Sequence, residues 1–322
     1  MAAFISMPKI SVVTPSFNQG MFLPQAIDSV ISQGYGNLEY IVIDGGSDDD
    51  SVSVIKHYAD HIDFWVSEPD SGQSDGINKG FRRATGDLVA WLNADDYYLP
   101  GTFQAVAEQY QKNPGSPFYF GDGLRVSVDR SPISKFFPDT FSGFNRTALI
   151  MGLNYILQPS TFMSRNALEQ VGYLDEALHY GMDTDLWLRL SALGDPVKVD
   201  GVLSASREYA ETKTASGSFE RVEELRRIAL KHGGKEITPG VICYLLDTLH
   251  RYAKQNQDVY PTAYLTDISR FWSQTASLMS LFGAGPDGFP LSQSDDSAGI
   301  APSRFKRLVA RMLARARNVI RG

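Results

Sequence analysis

The sequence predicts an α/β fold: a mostly parallel, Rossmann-like central sheet with helices on both faces, followed by a helical C-terminal extension. Three observations carry this. Short, near-continuous apolar runs alternate with stretches of helical periodicity from Lys9 to Leu92. Such runs suit strands buried on both faces, which is the environment of a parallel sheet. Several of them stop abruptly at polar residues, as strands do where a parallel sheet opens to ligand.

The elements follow in order. Lys9-Ile-Ser-Val-Val-Thr14 reads as a buried strand that stops at Pro15. Leu23 to Ile31 places Leu23, Ile27, Val30 and Ile31 on one helical face. A QGYGN turn leads to the strand Tyr40–Ile43, which ends at Asp44-Gly-Gly-Ser47. A helix through Val52, Ile55 and Tyr58 precedes a strand at Ile62–Val66. A helical stretch near Asp75–Ala84 precedes the strand Leu88–Leu92, which runs into Asn93-Ala94-Asp95-Asp96. Beyond residue 115, Phe118–Phe120 and Leu124–Val128 predict a strand pair joined by a Gly-Asp-Gly turn. Loop-rich sequence covers 131–160. Helices are expected from Ser164, over Asp183–Leu193, and over 219–232 and 239–254, with a strand at Val197–Val202. Residues 282–302 are rich in Gly, Pro, Ser and Asp and read as a linker.

The bulk numbers narrow the function. A chain of 322 residues with 43% hydrophobic content suits one large domain, or a domain with an extension. The net charge of −7 argues against bulk nucleic-acid binding. It conceals an asymmetry, because residues 303–322 hold seven Lys/Arg and no acid. Phe305, Leu308, Val309, Met312, Leu313, Ala316 and Ile320 form a stripe there with the cations largely off it. A basic amphipathic helix suits an anionic membrane surface, or else packs on a protein with its cations in water. With a single cysteine, no signal-like N-terminus and no run of about 18 apolar residues, a cytoplasmic protein is expected, peripheral on the inner face of the plasma membrane.

Three strand ends, Thr14–Asn18, Asp44–Ser47 and Asn93–Asp96, should converge on one edge. Adjacent carboxylates repel and cost energy to desolvate, so Asp95-Asp96 needs either solvent or a cation. Strand-end carboxylates can hold Mg²⁺ or Mn²⁺ with substrate phosphates completing the shell; Asp96 can equally cap a helix after Pro100. Asp44-Gly-Gly is either a plain turn or a close approach for a base or ribose. Asp183 and Asp185 open an amphipathic helix, as dipole-compensating caps or as a general base. Ser206–Thr214 is a polar loop that can cover a diphosphate or simply be solvated.

Five ordered blocks, ISVVTPSFN, YIVIDGGS, SEPDSGQSDGINKG, ATGDLVAWLNADD and MDTDLWLRL, make the first 215 or so residues resemble family 2 glycosyltransferases of the GT-A fold. The IDGGS, SEPD and NKG variants are similar to bacterial enzymes that build O-antigen and other surface polysaccharides. The resemblance implies inverting transfer from a nucleotide-sugar donor, most simply a UDP-sugar, to a saccharide or lipid-linked oligosaccharide acceptor, with Mn²⁺ or Mg²⁺. It implies donor contacts at Thr14, Pro15, Ser16, Asn18, Asp44, Asn78, Lys79, Asn93 and Ala94. Asp95, with Asp96, would hold the metal; Asn93 stands where the family's DXD motif has its first carboxylate. Asp183 would be the base, with Asp185 as runner-up. The late loop gives Glu208-Tyr209 where the family often has a histidine, leaving Arg207 and Lys213 as diphosphate contacts.

By this reading residues 1–215 form the glycosyltransferase domain, 216–281 a helical extension, 282–302 a linker and 303–322 the basic helix. A dinucleotide-binding oxidoreductase would need G-x-G-x-x-G where TPSFNQG stands. A nucleotidyltransferase would need a cation in that loop. A non-catalytic nucleotide- or glycan-binding relative is the remaining alternative.

Overall fold

The computed structural model describes residues 7–137, 143–209, 212 and 219–255. Lys213, the linker and the basic helix of 303–322 lie outside the described residues. The strands are β1 Ile10–Ser16, β2 Leu38–Asp44, β3 Phe64–Ser67, β4 Leu88–Trp91, β5 Tyr97–Tyr98, β6 Phe118–Val126, β7 Pro132–Lys135, β8 Thr161–Ser164 and β9 Val197–Arg207. They form a single sheet in the order β3-β2-β1-β4-β8-β6-β9-β5, with β7 on β6. The half made of β3, β2, β1 and β4 is entirely parallel. In the other half β8 runs antiparallel to both β4 and β6, while β9 runs parallel to β6.

The helices are α1 Leu23–Ile31, α2 Ser51–His57, α3 Gln73–Arg83, α4 Thr102–Lys112, α5 Arg146–Ile150, α6 Arg165–Val171, α7 Met182–Leu190, α8 Phe219–Lys231 and α9 Pro239–Gln255. Their distribution follows from strand alternation. Val13, Ile41, Ile43, Val89 and Trp91 point to one face and pack with α3, α6 and α7. Val12, Tyr40, Val42, Leu88, Ala90 and Leu92 point to the other and pack with α1, α2 and α4. Successive side chains of a strand face opposite ways, so an unbroken apolar run fills two cores at once.

Close approach of α3 to β1 depends on Gly80. A Cβ there would lie 2.3 Å from Cγ1 and 3.2 Å from Cβ of Val13, which is fully buried. Alanine in a helix interior normally gains about 1 kcal/mol over glycine. Overpacking against a stiff β-branched neighbour costs about 1–3 kcal/mol. Gly80→Ala is therefore expected to destabilise the protein despite better helix propensity. A denaturant midpoint at or above that of the parent would contradict this.

Two expectations are corrected. The strand opening the sheet does not stop at Pro15; β1 continues to Ser16, with Pro15 in register with Ile43. Gly121-Asp122-Gly123 is not a turn between two strands, for β6 runs straight through it, with its register against β9 shifting there. The glycines serve packing. A Cβ on Gly121 would sit 2.4 Å from Leu203 Cδ1, and one on Gly123 would sit 2.2 Å from Leu157 Cδ2. Asp122 accepts from the backbone N–H groups of Gly123 and Phe137, tying down the chain that follows β7.

Candidate active site

Each of the four parallel strands delivers a residue at or just past its C-terminal end to one cleft of about 880 Å³: Ser16, Gly45, Asp70 and Asn93. The loops are cross-tied. Asn18, in the left-handed region with φ of 53°, accepts from Asp48 N–H and its own N–H donates to Ser47 Oγ. Asn is among the few side-chain-bearing residues that tolerate this conformation. Asp44 is fully buried behind the cleft. Its carboxylate accepts from the N–H groups of Gly46 and Ser47 and from the hydroxyls of Ser47 and Ser67. Asp70 lies at the rim against Gly45, where a Cβ would come within 2.7 Å of Asp70 Oδ2.

The acidic turn is built by strand pairing. Asp96 N–H closes onto Asn93 O at 3.0 Å, and β5 then pairs antiparallel with β9, Tyr97 opposite Ala205. That register carries the end of β9 to the carboxylates. Arg207 N–H donates to Asp96 Oδ1 at 3.0 Å, and its guanidinium reaches Asp95 O and Gln25 Oε1. The guanidinium also lies over the rings of Phe22 and Tyr97. Tyr209 Oη donates to Asp95 Oδ2 at 2.8 Å. Arg207 was expected in a polar loop; it closes β9 and is buried.

Electrostatics make the turn uneasy. Burial, then the neighbouring Asp95 carboxylate, pushes Asp96 up to about 8. Burial raises Asp95 as well, against the Tyr209 hydrogen bond. Raised values mean that both groups resist ionising where they stand. Asn93 bridges the surroundings: its Oδ1 accepts from Gln73 Nε2, and its Nδ2 donates to Gln158 Oε1 at 3.1 Å. Arg207 and Arg125 both border the cleft, and Arg207 Nε and Arg125 Nη2 are buried without a hydrogen-bond partner.

Among the described residues no group of three or more His, Cys, Asp or Glu is placed to hold a metal ion. The donor set still suits a hard cation. Two adjacent carboxylates supply the oxygen ligands that Mg²⁺ and Mn²⁺ take alongside substrate phosphates.

The two aspartates of α7 part company. Asp183 borders the cleft, where Asn154 Nδ2 donates to its Oδ2 at 3.3 Å and Thr184 N–H to its Oδ1. Asp185 is fully buried away from it, held by Arg189 at 2.8 Å and by Lys231 and His232 at 2.9 Å. Burial alone would raise Asp185, but the hydrogen bonds from His232, Lys231 and Arg189 outweigh it and hold the carboxyl far below the usual range. A folded value below the unfolded one of about 3.9 gives stability that is complete above that pH and lost as the pH falls further. Asp185→Asn should therefore flatten the acid limb of the stability curve. It should also destabilise the protein near neutrality, because it takes the buried carboxylate away from the half-buried Arg189 and His232 that face it. An unchanged acid limb in urea titrations across pH would argue against the cage.

Of the other expected contacts, Pro15, Ser16, Asn93, Ala94 and Arg207 border the cleft. Thr14 is bonded to Tyr40 Oη within the core. Asn78 is spent on the backbone of Leu174 and on Glu176. Lys79 pairs with Glu68 and Asp75. None of these three borders the cleft, nor do Asn18, Asp44 or Asp185. Sequence reasoning missed Phe17, 60% exposed beside Pro15 and Ser16, and also Asp70, Asn154, His179 and Tyr180. An aromatic in a polar strand-end loop was a legible signal for Phe17. The others meet only through tertiary packing.

A mostly parallel sheet whose β4 ends in an acidic turn, with Asp183 lining the same cleft, has the architecture of the GT-A fold. The chain belongs to glycosyl transferase family 2, whose family model matches residues 11–171. It is 29% identical over 286 residues, 85% of its length and 99% of the relative's, to an uncharacterized glycosyltransferase of Mycobacterium tuberculosis. It is 27% identical over 225 residues, 68% of its length and 70% of the relative's, to one of Rickettsia typhi. Among solved structures it resembles Staphylococcus aureus TarS 1–349 in complex with UDP-GlcNAc, with a TM-score of 0.58 and 16% identity over 84% of this chain and 80% of that one. It also resembles the mannosyltransferase PcManGT of Pyrobaculum calidifontis in complex with GDP-Man and Mn²⁺, with a TM-score of 0.54 and 15% identity over 96% and 81%.

Proposed function

We propose that the protein transfers a sugar from a nucleoside-diphosphate donor to a saccharide hydroxyl with inversion. The observation that carries this is the meeting, in one cleft, of the Asp95-Asp96 turn, Arg207, Arg125 and Asp183. Phe17, exposed between Ser16 and the cleft mouth, offers a face for a nucleobase. Asp95 and Asp96 would hold a divalent cation, which would supply positive charge for a leaving diphosphate. Arg207 and Arg125 would add charge-assisted hydrogen bonds to the same group. Asp183, as general base, would accept the proton of the acceptor hydroxyl as that oxygen attacks the anomeric carbon. Inversion needs one base and no covalent enzyme intermediate, and Asp183 would be that base. The UDP-GlcNAc and GDP-Man complexes of the structural neighbours agree with a nucleotide-sugar donor.

The test is a thermal-shift screen of UDP, GDP, dTDP and CMP with and without Mn²⁺, followed by turnover of the matching sugar nucleotides. A ligand at a hundredfold excess over its dissociation constant stabilises by about 2.7 kcal/mol. A shift that needs both one diphosphate and Mn²⁺ is expected. No shift with any pair would overturn the reading in favour of a vestigial site.

The acceptor we infer is a lipid-linked saccharide of surface-polysaccharide synthesis, met at the cytoplasmic membrane face through the basic stripe of 303–322. No helix among the described residues is long and apolar enough to cross a membrane. Deleting 303–322 should release the enzyme from anionic vesicles in a sedimentation assay. Equal binding by the shortened chain would sink the idea.

A further inference from the structure

The sequence gives residues 216–255 no motif, yet one face of α8 grips the chain on both sides of Asp183. On the upstream side, the Glu224 carboxylate accepts three consecutive backbone N–H groups: His179 at 2.8 Å, Tyr180 at 2.7 Å and Gly181 at 3.1 Å. Glu224 is itself 5% exposed. One turn on, Ile228 lies so close to Gly181 that a Cβ there would come within 2.4 Å of Ile228 Cδ1. A further turn on, Lys231 and the following His232 hold the Asp185 carboxylate. Residues 224, 228, 231 and 232 fall on one helical stripe. The gripped segment carries His179 and Tyr180, and Asp183 lies between the two grips; all three border the cleft.

We infer that α8 is a clamp on the base-bearing segment, and that Glu224 is a positioning residue for Asp183. The physical case is local. The segment 179–181 precedes α7, where its N–H groups have no helical acceptor. A buried carboxylate that collects three of them fixes where the helix begins. It does so with charge-assisted bonds, which are short and strong. The start of α7 in turn sets the place of Asp183, its second residue. The inference rests on the reading of Asp183 as the base.

The test compares Glu224→Gln, and the milder Glu224→Asp, with the parent in the full-length protein. Glutamine keeps the shape but has one acceptor oxygen for three donors. Displacing a catalytic group by about 1 Å can cost roughly a hundredfold in rate. Accordingly kcat per nucleotide-binding site should fall by about tenfold to a hundredfold in E224Q, and less in E224D. The dissociation constant for UDP with Mn²⁺, or for whichever diphosphate the screen selects, should stay within about twofold, since that end of the cleft makes no contact with Glu224. Counting sites by nucleotide titration removes any contribution from simple loss of folded protein. An unchanged kcat per site, or a loss of nucleotide affinity as large as the loss of rate, would overturn the positioning role.

Amide hydrogen exchange separates this from a failure of the functional reading. In E224Q the amides of 179–181 should lose protection while those of β1 and β4 keep theirs. If the parent shows no turnover with any sugar nucleotide, the proposed function falls, and exchange alone decides the clamp. Equal protection in both proteins would overturn it.

Discussion

Asp183→Asn should reduce kcat by about 10²–10⁴-fold, the usual worth of a general base, with nucleotide affinity unchanged. Asparagine keeps the volume, and its one acceptor oxygen can still take the Thr184 N–H at the start of α7 while the longer bond from Asn154 is given up, so the start of α7 should stand. What it lacks is the capacity to take a proton. Asp185→Asn supplies the control, since both residues lie in the same turn of α7. That substitution should appear in urea titrations, because Asp185 is locked away from the cleft by Arg189, Lys231 and His232. The two neutralisations, two residues apart, should therefore separate: one loses rate at constant stability, the other stability. Initial rates at saturating donor, paired with nucleotide titration, read the difference. A D183N enzyme within about threefold of the parent would remove Asp183 from the chemistry, given the effect expected of a base.

Asp95→Asn should have effects of opposite sign on stability and on ligand binding. Without ligand, Asp95 and Asp96 are adjacent carboxylates, and burial with mutual repulsion holds Asp96 at about 8. Neutralising Asp95 removes that repulsion, and the asparagine oxygen can still accept from Tyr209. The free protein should therefore be as stable as the parent or more so. In exchange, the Mn²⁺-dependent part of nucleotide stabilisation, about 2.7 kcal/mol at a hundredfold excess over the dissociation constant, should disappear. Thermal melts of both proteins with and without UDP and Mn²⁺ check both halves. An Asp95→Asn protein that melts well below the parent in the absence of ligand would mean that the carboxylate is structural.

The parallel half of the sheet was legible because its signal is local. A strand buried on both faces must be apolar at most of its positions, and β1, β2 and β4 are. Helices α1, α8 and α9 were legible for the matching reason, an apolar stripe with polar residues opposite. The Gly-Asp-Gly of β6 misled because glycine signals a turn in most contexts, whereas here it admits Leu203 and Leu157. Local sequence holds no record of which side chain will need that space.

The sequence by itself determined that polar strand ends would share one edge, since parallel strands place their C-termini together, and that two carboxylates would stand at the end of β4. It could not divide those polar residues into cleft and scaffold. Asp44 and Asp95 look alike in sequence, yet Asp44 is consumed by four hydrogen bonds from its own turn and from Ser67, and Asp95 borders the cleft. Asp183 and Asp185 are two residues apart on one helix, and only the packing of α8 buries one and leaves the other at the cleft. Arg207 reaches the acidic turn because β5 pairs with β9 across more than a hundred residues of chain. A side chain's role is set by what surrounds it, and those surroundings are assembled by contacts that the local pattern does not encode.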